Sequence, residues 1–275
     1  MIGPTLLFCP GDRPERWAKA AAAADLVILD LEDAVAPDAK ESARAAIVAA
    51  LRSGEVDPGT TVVRINPADT AWGRADVEAL RGTGVRTVML PKAADPVALA
   101  DVAQLLDADV LALCETAAGV LNAATLAAEP GCAGLMWGGE DLTADLGGRS
   151  SRRPTGEYLS HVVAARTAVL LAAGAHGKTA VDGVYLDVHD ADGLAAETAD
   201  AVAMGFAAKA SIHPRQIPVI RDAFRPDDDA LAWAREVVAA VADGGVATVR
   251  GRMVDEPLLR QAWTLLAAAG EEASR

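Results

Sequence analysis

Cysteine is scarce in this 275-residue chain. Its three residues, Cys9, Cys114 and Cys132, are odd in number and contain no C-x-x-C pair. That argues against a disulfide framework and for reduced thiols in a cytoplasm. Only four histidines occur, with neither H-x-H nor H-x-x-x-H spacing, so a zinc centre is poorly supplied with ligands. No block of Lys and Arg stands out against a formal net charge of −14, from 39 acidic and 25 basic residues. Nucleic acid and anionic membrane are therefore not expected as partners. The longest apolar stretch, residues 162–175, is interrupted by Arg166 and is too short for a bilayer. The start, MIGPTLLFCPGD, lacks the basic region of a secretory signal. Neither G-x-G-x-x-G nor G-x-x-x-x-G-K-[ST] is present, and no Ser-His-Asp or Cys-His nucleophile arrangement is visible. A soluble cytoplasmic protein is the expectation.

Apolar residues, by contrast, make up 52% of the chain, enough for a sizeable core. They fall into eight short, nearly continuous runs, at residues 5–9, 26–30, 61–65, 87–91, 110–114, 133–137, 178–182 and 207–212. Such runs suit parallel strands covered on both faces. Helical patterns follow each run. Asp12 with Pro14 and Glu15, Asp95 with Pro96, and Asp190 are the expected helix starts, and residues 156–173 are expected to form one long helix. Eight strand–helix units predict an α/β fold, a TIM (β/α)8 barrel, over residues 1–225. After the polar break RPDDDA, residues 226–275 read as a C-terminal helical extension, with helices over 231–242 and 256–269, expected to pack on the barrel, cover its mouth or reach a neighbouring subunit.

Charged residues gather where the apolar runs end: Asp30, Glu32 and Asp33 after LVIL, Arg64 and Asn66 after VV, Lys92 after VMLP, Glu115 after VLALC, and Glu140 and Asp141 after GLMWGG. A carboxylate just past a strand is costly in a core and useful at a barrel mouth. Glu115 and Asp141, set among small residues, are the expected metal ligands. Two carboxylates with open positions suit Mg²⁺. Arg64 offers a two-pronged grip for a substrate carboxylate, with a salt bridge to Asp30 or Glu32 as the structural alternative. Lys92 is expected to act by charge rather than as a Schiff base. His213 is either a ligand-side group or a hydrogen-bonded histidine at a helix start. Trp17, Trp72 and Trp137 are expected to pack.

The segments FCPGDRPERWAKA, VILDLEDAVAPDAKESAR, VVRINP, VMLPKA, CETAAGVLNA, GGEDLTADLGG and SIHPRQIPVI resemble the citrate lyase β-subunit branch of the HpcH/HpaI aldolase family, from about Leu6 to Asp255. The resemblance implies a TIM barrel, Mg²⁺ dependence, and a homotrimer or hexamer. It also implies reversible cleavage of a 3-hydroxyacyl-CoA into an acyl-CoA and a 2-oxo acid, of the oxaloacetate, pyruvate, glyoxylate or acetoacetate kind. By motif, Glu115 and Asp141 match the metal ligands and Arg64 the carboxylate-holding residue. The backbone of Gly138, Gly139, Glu140 and Asp141 faces the same ligand, with Asp30, Glu32, Lys92 and His213 around it. In MVDEP, Asp255 matches an acid/base delivered to a neighbour's site; its bland alternative is a helix N-cap. The chain departs from the family pattern at SIHPRQ, where Arg215 replaces a glycine. Two other outcomes stay open: a β subunit acting on an acyl carrier protein, and a non-catalytic barrel.

Overall fold

Each of the eight apolar runs forms a strand, with bounds within one residue of those predicted, in a computed structural model that describes residues 3–241 and 245–271. The strands are β1 (Thr5–Pro10), β2 (Leu26–Asp30), β3 (Thr61–Arg64), β4 (Thr87–Leu90), β5 (Asp109–Cys114), β6 (Cys132–Trp137), β7 (Thr179–Asp182) and β8 (Ala208–Ser211). They pair in parallel in chain order and close through β8 on β1, where Leu6 stands opposite Ala210. Alternation across each strand splits the apolar residues into two layers. Leu6, Ile28, Val62, Met89, Leu111 and Val181 fill the barrel interior. Leu7, Val27, Leu29, Val63 and Val88 face outward into the layer that the helices cover. Burial on both faces is why the strands read as continuous runs.

The helices are α1 (Trp17–Ala23), α2 (Lys40–Ser53), α3 (Ala71–Leu80), α4 (Pro96–Leu106), α5 (Ala117–Leu121), α6 (Ala123–Ala128), α7 (Gly139–Asp145), α8 (Ser160–Ala175), α9 (Ala191–Met204) and α10 (Gln216–Phe224). Asp95 caps α4 by accepting from Val97 N, and Asp190 caps α9 by accepting from Gly193 N. Two expectations need correction. Asp12 caps nothing: a 3₁₀ turn, Pro14–Arg16, precedes α1. The helix expected over 156–173 begins only at Ser160, because Gly156 sits at φ 96° in a loop.

The chain divides into two compact units, Met1–Ile220 and Arg221–Arg275. The second contains α11 (Asp228–Ala240), the hairpin strands β9 (Ala247–Val249) and β10 (Arg252–Val254), and α12 (Glu256–Ala268). Asp227 caps α11, and the two helices pack through Ala234, Val237, Leu259, Ala262 and Leu266. The expected first tail helix ran to Ala242, which lies outside the described residues; α11 ends at Ala240. No helix among the described residues is long and apolar enough to cross a membrane.

One close approach fixes the path out of β3. A Cβ built on Gly73 would meet Pro67 O at 2.2 Å and Asn66 O at 2.7 Å. Gly73→Ala is expected to cost about 1–3 kcal/mol by overpacking. Urea unfolding should show a lower midpoint with an unchanged slope.

Candidate active site

Asp30, the last residue of β2, is 1% exposed, and its carboxylate accepts from two backbone N–H groups and one guanidinium. Its Oδ1 and Oδ2 accept from Glu32 N (2.8 Å) and Ala34 N (3.0 Å), which shapes the loop after the strand. The same oxygens take Arg64 Nε and Nη2, each at 2.6 Å. Lys40 closes the loop from outside by donating to Leu31 O and Glu32 O. The Nε–Nη2 edge of Arg64 thus holds Asp30, the salt bridge set beside a substrate grip in the sequence, and such a pairing orients a guanidinium without excluding that grip. Arg64 Nη1 lies 3.0 Å from Glu32 Oε2, off the N–H axis, so that buried oxygen has charge compensation without a hydrogen bond. The Phe8 ring lies under the guanidinium, 4.9 Å from centroid to Cζ. Burial works against the Arg64 charge, but Asp30, Glu32 and Glu115 outweigh it and hold the group firmly protonated.

Lys92 links this cluster to the next two strands. It adopts φ 49°, a left-handed conformation uncommon outside glycine. That turn aims its backbone N at Glu115 Oε1, 3.0 Å away. Its Nζ bonds Glu32 Oε1 at 2.5 Å and lies 3.8 Å from both Glu115 Oε1 and Asp141 Oδ1. Burial pulls the ammonium pKa down, yet Glu32, Glu115 and Asp33 more than reverse this, and the net shift is upward. A permanently charged Lys92 fits an electrostatic role and not imine formation.

Glu115 and Asp141 come together at the ends of neighbouring strands. Glu115 follows β5 and is 3% exposed; Asp141 stands in the first turn of α7, which follows β6. Burial first, then the charges of Asp141 and Glu32, push Glu115 up to about 8. This mutual repulsion at a cavity wall is what a divalent cation would relieve. A Cβ on Gly138 would lie 3.0 Å from Glu115 Oε2, so only glycine leaves that oxygen open. Among the described residues no three His, Cys, Asp or Glu side chains form a metal-holding group. Two carboxylate oxygens with the remaining positions left to substrate and water match Mg²⁺ rather than a closed zinc site.

These residues line a cavity of about 380 Å³ in the first unit, bounded also by Phe8, Leu113, Met136, Val184 and Ile212. Asp30, Arg64, Glu115, Gly138, Gly139, Glu140 and Asp141 are all on its wall. Glu140 lines the cavity but turns its carboxylate to Ser151 Oγ, and Glu32 and Lys92 support the wall from behind. His213 is not on the wall. Its Nδ1 accepts from Arg215 N, at the start of α10, as the hydrogen-bonded alternative has it. Partial burial, Arg215, His189 and Lys19 all lower its pKa. Asp255 belongs to the second unit. It occupies the N-cap position of α12, yet its carboxylate makes no capping bond.

Trp137 packs as expected but also forms part of the wall, and Tyr158 beside it was not singled out in the sequence. Trp137 lines the cavity and donates from Nε1 to Asp182 Oδ1 at 2.8 Å; Tyr158 stands edge-on to it at 5.3 Å. Behind them lies a buried charge network. Asp182 accepts from Arg166 (2.9 Å) and Lys209 (2.7 Å), and Lys209 also donates to Gly183 O and Glu197. Lys209 is fully buried. A single lysine inside the apolar run AAKASI was the available signal. Trp72, in contrast, is 40% exposed beneath Arg44, and Trp17 packs as expected. All three thiols are free and buried, and burial pushes Cys9 up to about 11 and Cys114 up to about 12, which leaves them unreactive.

The raised Glu115 pKa carries a signed consequence for the metal-free protein. Between 4.5 and about 8 the folded state keeps a proton that the unfolded state has lost. Stability contributed by this carboxyl is therefore complete below 4.5 and drains away as the pH climbs to about 8. Chemical denaturation with chelator present should show wild type losing ground to Glu115→Gln across that window; parallel profiles would contradict it.

Comparison with known proteins agrees with this geometry. Residues 4–214 match the family model described as HpcH/HpaI aldolase/citrate lyase. The chain is 52% identical over 273 residues to the citrate lyase subunit beta-like protein of Mycobacterium tuberculosis, covering 99% of this chain and 97% of that one. A (3S)-malyl-CoA thioesterase of Cereibacter sphaeroides is 37% identical over 261 residues, covering 91% and 89%. A crystal structure of the M. tuberculosis protein CitE in complex with magnesium, acetoacetate and coenzyme A superimposes with a TM-score of 0.91 at 52% identity, covering 98% of this chain and 99% of that one. The closed eight-strand barrel, the paired acids at its mouth and these matches together show that the chain belongs to the HpcH/HpaI aldolase/citrate lyase family.

Proposed function

We propose that this chain is a Mg²⁺-dependent carbon–carbon lyase. It reversibly cleaves a 3-hydroxyacyl-CoA into an acyl-CoA and an oxo acid, a 2-oxo acid from the malyl or citramalyl kind and a 3-oxo acid from the HMG kind. The observation that carries this is the pairing of Glu115 and Asp141 on a cavity wall beside Arg64. Its support from relatives is the magnesium, acetoacetate and coenzyme A bound by the M. tuberculosis protein, and the malyl-CoA named for the Cereibacter one.

Glu115 and Asp141 hold the metal, which when bound supplies the positive charge that polarises the oxo-acid carbonyl. Arg64, whose Nε–Nη2 edge is committed to Asp30, lends charge and its remaining N–H groups to the substrate carboxylate. Lys92 offsets Glu32 and Glu115, keeping the wall from becoming too negative for an anionic ligand. The backbone of residues 138–141 faces the same ligand. Asp255 is the acid/base. In condensation it takes a proton from the acyl methyl group, and the alkoxide left after carbon–carbon bond formation takes up a proton; in cleavage a base removes the hydroxyl proton as that bond breaks, and Asp255 returns a proton to the leaving enolate. Its carboxylate is not spent on capping α12, which leaves it available for this work. The 221–275 unit, in this reading, delivers Asp255 to the barrel of a neighbouring copy in a homotrimer or hexamer within the cytoplasm. Asp30 and Glu32 orient Arg64 and Lys92, and His213 stands on the CoA side.

The purified chain, tested alone with Mg²⁺ and a panel of 3-hydroxyacyl-CoA thioesters, should release acyl-CoA and oxo acid, identified by mass spectrometry. Release of free hydroxy acid and CoA instead would make it a thioesterase, the activity named for the Cereibacter relative. Activity confined to an acyl carrier protein substrate would make it a citrate lyase β subunit.

Glu115→Ala and Asp141→Ala should each abolish turnover while leaving the fold intact, since both acids sit past strand ends and outside the apolar core. Normal turnover in either variant, or without divalent metal, rules out this metal site. Arg64→Lys should lose about 2–5 kcal/mol of ligand binding or transition-state stabilisation, because an ammonium cannot serve Asp30 and substrate at once. Unchanged oxo-acid affinity would remove Arg64 from the binding role. Inactive Glu115→Ala chains mixed and reassembled with inactive Asp255→Asn chains should recover activity, one copy supplying the metal site and another the aspartate. Persistently dead mixtures, or a fully active Asp255→Asn enzyme, would show that Asp255 does not act across subunits.

A further inference from the structure

Glu197, on α9, touches neither the cavity nor any residue assigned above to metal or substrate, yet three donors converge on it. Its Oε1 accepts from Lys209 Nζ at 3.0 Å and from Tyr158 Oη at 3.1 Å, and its Oε2 from Arg152 Nη2 at 2.6 Å. Lys209 does not need it for compensation, since Asp182 Oδ2 already stands 2.7 Å away and Gly183 O at 2.9 Å. A carboxylate in this setting, only 10% exposed, carries a desolvation cost with little return to the core. Its return lies in the loop that it grips.

That loop, residues 147–159, connects α7 to α8. It folds back on itself through Arg153 N to Glu157 O and Leu159 N to Ser151 O, both 2.8 Å, with Arg152 bridged to Tyr158. The Arg152 guanidinium lies 3.7 Å from the centre of the Tyr158 ring and donates to Gly156 O. Tyr158 is part of the cavity wall, stacked edge-on against Trp137. From the other side of the loop, Ser151 Oγ donates to Glu140, next to Asp141. The loop thus joins the buried charges of β7, β8 and α9 to the turn that bears Asp141, and Arg152 and Tyr158 secure it to one carboxylate.

We propose that Glu197 is a positioning residue: it latches the 147–159 loop through Arg152 and Tyr158 and so sets the aromatic wall of the substrate cavity. The latch rests on the proposed lyase reading for its kinetic effect, and on the structure alone for its effect on the loop. Releasing it frees Tyr158 and loosens the wall while leaving Glu115 and Asp141 with their own partners. Thioester binding suffers more than the chemical step.

The test is Glu197→Gln in the full-length protein. Arg149–Ser150 and Arg152–Arg153 are trypsin sites inside the loop, whereas Arg153 is shielded by Pro154. Under native conditions, cleavage at these two bonds should quicken by about tenfold or more, the scale of losing hydrogen bonds to a charged group. The KM for the thioester should rise by about tenfold with kcat within about threefold, and Tyr158→Phe added to Glu197→Gln should raise KM no further, as expected for residues acting through one another. A purely structural Glu197 predicts otherwise: a lower melting temperature with wild-type loop cleavage and wild-type KM. That result, or independent multiplication of the two KM effects, overturns the latch. If Glu197→Gln does not fold, Arg152→Gln, at a side chain 24% exposed, carries the same measurement at Arg149–Ser150. A wild-type enzyme inactive on every thioester would refute the lyase reading, and the cleavage rate alone would then decide the latch.

Discussion

Glu32 holds the mouth of the barrel together. It lies two residues past β2, 4% exposed, with Arg64 of β3 on one oxygen and Lys92, just past β4, on the other. Three carboxylates and two cations, brought from four consecutive strand ends, would each be unfavourable alone in so little water. Together they compensate one another, and the order of compensation fixes where each group stands. Arg64 is turned by Asp30, Lys92 is drawn across by Glu32, and the Lys92 backbone then orients Glu115. Burial, with Asp33, raises the Glu32 pKa against Arg64 and Lys92; burial, with Asp141 and Glu32, raises that of Glu115 against Lys92. Glu115 and Asp141 share only the Lys92 ammonium, 3.8 Å from each, and the proposed metal would add positive charge there.

The barrel divides its polar work between two sides of the strands. Inward and upward, Asp30, Arg64 and Glu115 meet the cavity. Outward, Asp182 of β7 and Lys209 of β8 bury an ion pair under α8 and α9, with Arg166 completing it. Trp137 belongs to both: its ring lines the cavity, and its indole N–H is spent on Asp182. The apolar floor of Phe8, Leu113 and Met136 lowers the local dielectric under the acids, which strengthens every charge interaction above it.

Much of this was legible in the sequence because parallel strands buried on two faces leave an unbroken apolar record, and all eight could be bounded to within a residue. The charged residues directly after those runs marked the mouth, and Glu115, Asp141, Arg64, Lys92, Asp30 and Glu32 do assemble there. Three things were not legible. The start of α8 carries no side-chain cap, since Leu159 occupies the N-cap, so the preceding loop read as helix. Pairing geometry is invisible in spacing, so nothing could say that Asp30 would take the better edge of Arg64. The outward network went unread because period-two alternation hides a lysine such as Lys209 inside a strand whose other residues are small.

Closure of the sheet limits the ways in which copies of this chain could associate. A barrel whose eight strands all pair leaves no free row of backbone N–H and C=O groups. Strand addition, the most permissive route to unwanted polymers, has no template there. Among the described residues the sole open edges belong to β9 and β10, three residues each, turned tightly at Arg250 and Gly251. Any contact between copies would thus fall to helices and side chains rather than to an added barrel strand.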